Sequence, residues 1–188
     1  MAFLPKAALR HRHVRTAGAA LASLAMVAVA GCASGSPHVV AYVDGVQISQ
    51  SQLHEAVSGV AQAFGTERQI KEQAIVDAMV RGEVAAQLAS EKKITITDAE
   101  RDALFSGDAD GAKLLAVPAA RQVAYDLADE QIVAKQLGVE AYLAGLKKAK
   151  VKLNPRYGVW SADAAAQGST AVQDQSSSLS KSGSSEQR

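Results

Sequence analysis

Apolar residues recur at helical spacing through most of the chain. After Ser49, Leu53, Val57 and Val60 fall on one stripe, with Ala56 and Phe64 beside it. That spacing predicts a helix over about 50–64. Ser49 with Gln52 three residues on has the form of a capping box, and Gly65 is a stop signal. A longer stripe follows through Ile70, Ala74, Ala78 or Met79, Ala85 and Leu88. It predicts a helix from a Thr66 cap to about Glu91, with Lys92 and Lys93 placed where the helix dipole favours cations. Gly82 inside it costs up to ~1 kcal/mol against alanine, which a close helix–helix contact would explain. Thr97-Asp98-Ala99-Glu100 is a second capping box, opening a short helix to about Phe105. Ser106 to Gly111 reads as a turn. Pro118 suits a helical first turn. Val123, Leu127, Ile132 and Leu137 continue that helix to Gly138, and a last helix runs from Val139 to about Lys150.

Ile94-Thr95-Ile96 reads as a short extended link inside this helical stretch, and strand-like segments mark its two ends. Val39-Val40-Ala41-Tyr42-Val43 is rich in β-branched residues, Asp44-Gly45 is a tight-turn signal, and Val46-Gln47-Ile48 resumes the strand. Val151-Lys152-Leu153 alternates again before Asn154-Pro155 breaks the pattern, and Val159-Trp160 closes the part expected to be ordered. Pairing Val39–Val43 with Val151–Leu153 would tie the two ends together. The expected fold is therefore mainly α, with a small strand pair joining the N- and C-terminal ends. Two strands alone are marginal, so the helices must cover them. From Ser161 to Arg188, Ser, Ala, Gln and Gly dominate. Such a tail is expected to stay disordered, because it buries too little apolar surface to offset its ordering entropy.

Composition supports the helical reading. Of the 188 residues 48% are hydrophobic but only 4% aromatic, so the core must come from Ala, Val and Leu. Four of the 20 basic residues, Lys6, Arg10, Arg12 and Arg15, precede Cys32, where no acid occurs. The remaining 16 face 19 acidic residues, a balance near −3. That charge gives no footprint for nucleic acid. The single cysteine excludes an internal disulfide, and no Cys/His spacing fits zinc. Ser106 to Gly111 has a faint likeness to a calcium loop but lacks the later glutamate. No metal and no cofactor is expected.

The first 15 residues are basic, and Ala17 to Ala30 is uncharged and short for a membrane span, which needs ~20 residues. Together they fit residues 1–31 as a secretory signal. Val29-Ala30-Gly31-Cys32 resembles a bacterial lipobox. That resemblance implies diacylation of the Cys32 thiol, cleavage before it, and attachment to the extracytoplasmic face of the cell membrane. Residues 32–38 would then be a flexible tether. An ordinary signal cut near Ala33, or an uncleaved anchor helix, fits the same residues.

A second resemblance spans the mature chain. Val43-Asp44-Gly45-Val46-Gln47-Ile48-Ser49 is similar to the opening of SurA/PrsA-type foldases, and Val151-Lys152-Leu153-Asn154-Pro155-Arg156-Tyr157-Gly158 to the segment that follows their helices. The resemblance implies a SurA-N-like, trigger-factor-related helical chaperone domain over residues 39–160. Its partners would be unfolded or extended secreted polypeptides. In many such foldases a parvulin domain of roughly a hundred residues with active-site histidines follows; here a short polar stretch follows Trp160, so isomerase activity is expected to be absent. Asp44, Gly45, Asn154, Pro155, Arg156, Tyr157 and Gly158 carry the motifs. Their expected role is structural: proline sets a turn, Tyr157 packs and Arg156 pairs with a carboxylate.

No catalytic constellation emerges. Lipid would consume Cys32, and His54 and Glu55 are adjacent and so do not face each other on a helix. Asp98, Glu100 and Asp102 are explained by capping, and Asp126, Asp129 and Glu130 read as a solvated face. The chain is expected not to be an enzyme. Client binding would use adaptable apolar side chains, for which Phe64, Met79, Val80, Phe105, Leu114 and Leu115 are the candidates; taken singly, each reads more readily as plain core. The expected function is a membrane-anchored holdase for secreted proteins. The alternative is a structural or adaptor lipoprotein of the envelope that binds one specific partner.

Overall fold

The hairpin forms where the turn chemistry asks for it. In the computed structural model, which describes residues 38–65 and 70–174, β1 (Val39–Val43) and β2 (Val46–Ser49) are antiparallel with Val43 opposite Val46. The two turn residues take positive φ, 49° at Asp44 and 95° at Gly45, the conformation that matches the strand twist of a two-residue hairpin. β3 (Val151–Leu153) pairs with the other edge of β1, giving the order β2-β1-β3. The closure of the two ends expected from sequence is present. Val40, Ala41 and Val43 on the central strand are fully buried.

Six helices follow or flank this sheet before the last segment: α1 (Gln50–Phe64), α2 (Glu72–Lys92), α3 (Asp98–Phe105), α4 (Ala109–Ala116), α5 (Pro118–Leu137) and α6 (Val139–Lys148). Both capping boxes form, at Ser49/Gln52 and at Thr97/Glu100. Gly65 and Gly138 end α1 and α5. One boundary differs from the sequence reading, and α4 is a helix that reading did not anticipate. α2 starts at Glu72 after Lys71, without a side-chain cap; the expected Thr66 cap lies outside the described residues. Within the expected turn at Ser106–Gly111, Asp108 caps α4, its carboxylate accepting the Gly111 N–H at 2.7 Å.

α2 is the axis of the fold. Its buried residues run from Ile75 through Gly82 without a break and continue to Val84, Ala85 and Ala89. A helix buried all round must be packed on every side: α5, α6, α1 and β1 all lie against it. Close approach is bought by small residues. A Cβ on Gly82 would lie 2.4 Å from Asp126 Cβ of α5, and one on Gly145 of α6 would lie 2.6 Å from Leu88 Cδ1.

The largest departure from expectation is at the C-terminal side. Residues 161–174 are folded, not disordered. Beyond β4 (Val159–Trp160) come a short helix, α7 (Ala162–Ala166), and β5 (Val172–Gln173), which pairs antiparallel with β4. Ala165 and Ala171 are fully buried and Val172 nearly so. The stretch has few apolar side chains, but it places those few inward and satisfies its main chain on buried charges of α2. Residues 175–188 and the expected leader lie outside the described residues.

Candidate functional site

The segments around Val43–Ser49 and Val151–Gly158 lie side by side, with Val43 paired to Val151. Asp44 N–H donates to Lys150 O at 3.1 Å, and Lys150 N–H donates back to Asp44 Oδ1 at 3.2 Å. Asn154 N–H donates to Val40 O at 2.8 Å, its Nδ2 to Val39 O at 2.9 Å, and its Oδ1 accepts the Arg156 N–H at 3.1 Å. Pro155–Tyr157 is a single 3-10 turn with Tyr157 buried. Gly158 takes φ 122°, and a Cβ there would lie 2.5 Å from Gln173 O. These residues hold the ends of the domain together. Arg156 is exposed and enters no ion pair among the described residues, so the carboxylate partner expected for it is not found there. Cys32 lies outside the described residues.

The six apolar candidates divide. Phe64, Phe105 and Leu114 line one groove of about 360 Å³, with Val60, Ile70 and Leu127 among its other walls. Gly111 lets the Phe105 ring pack directly on α4, since a Cβ there would lie 2.5 Å from Phe105 Cδ1. Lys113 Nζ sits 5.8 Å from the Phe64 ring centroid, within cation–π range. Phe64 is half-buried, whereas Phe105 and Leu114 are buried in the groove walls. Leu115 is half-buried outside this groove. Val80 is wholly enclosed and is core. Met79 faces a different cleft.

That second cleft, about 620 Å³, opens between α1, α2, α3 and α5 and mixes charged with apolar side chains. Asp126, Asp129 and Glu130 do not form the solvated face expected of them. Asp129 is buried, and Arg101 grips it with both Nε (2.6 Å) and Nη2 (3.0 Å). Arg101 also reaches Asp98 at 2.7 Å and lies 5.1 Å from the Tyr125 ring centroid. Asp126, opposite Gly82, accepts a hydrogen bond from Gln122 at 2.8 Å. Burial raises its pKa to about 7, with the Asp129 and Glu83 carboxylates adding to the rise against the Gln122 hydrogen bond.

A third cluster is buried on the far side of α2. Arg81 Nε donates to Asp77 Oδ2 at 2.9 Å and Nη1 to Glu130 Oε1 at 3.3 Å. Burial works against the Arg81 cation, but the Asp77 and Glu130 carboxylates outweigh it and hold its pKa up. Burial raises the pKa of Glu130, partly offset by Arg81. Asp77 Oδ1 accepts the N–H groups of Ala171 (2.9 Å) and Val172 (3.1 Å), and Arg81 Nη2 donates to Ser169 O. Sequence reasoning passed over this pair. The available signal was a charged i,i+4 pair set within the apolar run Ala74 to Val84, where a solvated pair would be out of place.

Among the described residues no group of His, Cys, Asp and Glu side chains could hold a metal ion, and no helix is long and apolar enough to cross a membrane. Comparison with family models, with curated proteins and with solved structures gives no match.

Proposed function

We propose that this chain is a holdase for secreted polypeptides, attached to the extracytoplasmic face of the cell membrane through lipid on Cys32. The observation that carries the reading is the apolar groove walled by residues of α1, α2, α3, α4 and α5, where Phe64, Phe105 and Leu114 converge. Its volume, about 360 Å³, is at the small end of ligand pockets and suits one or two client side chains. Burying one large apolar side chain contributes about 1.5–3 kcal/mol. A millimolar Kd needs about 4.1 kcal/mol. One groove alone therefore holds a client briefly, which is what release for folding requires. Tethering at the surface where clients emerge raises the local concentration and compensates for weak contacts.

The proposal assigns the chain no isomerase chemistry. His38 and His54, the histidines among the described residues, are exposed and line neither cleft. The SurA-N-like family assignment belongs to the same proposal and rests on the two motifs.

The test is suppression of aggregation by the full chain carrying Cys32→Ser. Near-stoichiometric amounts should protect several unrelated unfolded proteins, and Phe64→Ser should weaken that protection while leaving the helical spectrum unchanged. If no client is protected and one envelope protein co-purifies instead, the adaptor reading replaces this one.

A further inference from the structure

The Asp77–Arg81 cluster recognises main chain. Three of its hydrogen bonds reach residues 169–172, and none goes to a side chain: Asp77 accepts two successive N–H groups, from Ala171 and Val172, and Arg81 donates to the Ser169 carbonyl. Asp77 and Arg81 are 9% and 6% exposed, so these are fixed groups. β4 contributes an edge, pairing Val159 with Gln173 and Trp160 with Val172, and Ser161 N–H donates to Ala171 O at 2.8 Å. Two positions of the segment, Ala171 and Val172, are enclosed, and one side-chain bond is added at its end, where Gln73 Nε2 donates to Asp174 Oδ1 at 3.1 Å.

We infer that the face formed by α2 and β4 is a binding site for extended polypeptide, occupied in this structure by the chain's own residues 168–174. Strand addition to a sheet edge obtains affinity from the main chain and selectivity from alternate side-chain pockets. Here the first pocket takes a small residue and the next a β-branched one. Gly158 keeps the edge open to an incoming carbonyl: a Cβ there would meet Gln173 O at 2.5 Å. The occupant is joined to the domain on one side through α7, and the chain continues 14 residues past Asp174. An intramolecular occupant held by main-chain bonds is exchangeable for any strand offering the same small and β-branched pair. The ligand class is thus an extended peptide segment of another chain, captured when the cis segment leaves. This site is separate from the apolar groove, and holdase activity can fail without affecting it.

The test uses the full-length chain and a fluorescein-labelled peptide with the sequence of residues 168–174, Gly-Ser-Thr-Ala-Val-Gln-Asp. Val172→Asp in the protein should expel the cis segment and raise affinity for the peptide at least tenfold over the unmodified chain, read by anisotropy. A peptide carrying aspartate in place of its valine should not bind. Adding Asp77→Asn to the Val172→Asp protein should weaken binding at least threefold. A folded Val172→Asp chain, judged by its helical circular dichroism, that binds the peptide no better than the parent overturns the inference. Amide exchange in the unmodified chain supplies the second measurement should the variant not fold. The Ala171 and Val172 amides should exchange through a local opening at least tenfold faster than the amides of Val76 and Val80. Exchange of all four only through global unfolding would show that the segment is not displaceable.

Discussion

Replacing Asp77 with alanine tests the structural account at its most demanding point. Asp77 accepts three hydrogen bonds, from Arg81 Nε and from the N–H groups of Ala171 and Val172. Removing it leaves two main-chain donors without their acceptor and strips the buried guanidinium of one of its two carboxylates. Breaking a buried pair by deleting one partner costs about 3–5 kcal/mol, and each orphaned buried donor about 1–3 kcal/mol. Two features limit the loss. Glu130 still lies 3.3 Å from Arg81 Nη1, and the 161–174 segment can leave for water instead of staying with unmet donors. The expected destabilisation is therefore at the low end, about 3 kcal/mol. With urea m-values of about 1–3 kcal/mol per molar, the midpoint should fall by roughly 1–3 M. Trp160 is the sole tryptophan and is paired with Val172 on β5, so its fluorescence reports the C-terminal segment while circular dichroism at 222 nm reports the helices. In Asp77→Ala the fluorescence transition should precede the helical one. Asp77→Asn, which keeps an acceptor oxygen, should fall between the two. A midpoint shift worth less than about 0.5 kcal/mol, the range of ordinary surface substitutions, with both probes still coincident, would refute the reasoning.

Gly82→Ala sets a helix-propensity gain of up to ~1 kcal/mol against a Cβ placed 2.4 Å from Asp126 Cβ. Overpacking of about 1–3 kcal/mol should win, and a melting temperature at or above wild type would contradict the close α2–α5 contact. Gly158→Ala combines φ 122° with a clash on Gln173 O, and should shift Trp160 fluorescence toward that of solvent-exposed indole before the helices melt. The Asp126 carboxyl has its pKa raised from 3.8 to about 7, so between those values the folded chain keeps a proton that the unfolded chain has released. Stability should fall as pH rises through this window, and Asp126→Asn should flatten the slope in urea titrations taken from pH 4 to 8; an unchanged slope would remove Asp126 as its source. Cys32→Ser should release the protein from membranes or leave it unprocessed, and a mature N-terminus elsewhere without lipid mass would end the anchor proposal.

Features set within a few residues were readable in the chain alone. Asp44-Gly45 specifies the hairpin because both positions need positive φ. Ser49/Gln52 and Thr97/Glu100 start helices because each motif satisfies its own orphan N–H groups. Gly65 and Gly138 end helices for equally local reasons, and Gly82 announced a close contact before its partner was known. Alternation in Val151–Leu153 was enough to suggest the strand that closes the sheet on β1.

Tertiary structure decided what depends on distant partners. Asp129 reads as a solvated acid until Arg101, 28 residues away, covers it. The 161–174 stretch reads as a disordered tail because its own apolar content is small. It folds because Asp77, 94 and 95 residues distant, accepts its Ala171 and Val172 N–H groups. Phe64, Phe105 and Leu114 share a pattern with Val80, yet three face a groove and one is sealed in the core. Periodicity records which side of a helix is apolar. Whether that side meets another helix, a groove or water depends on packing across the fold, which no local window contains.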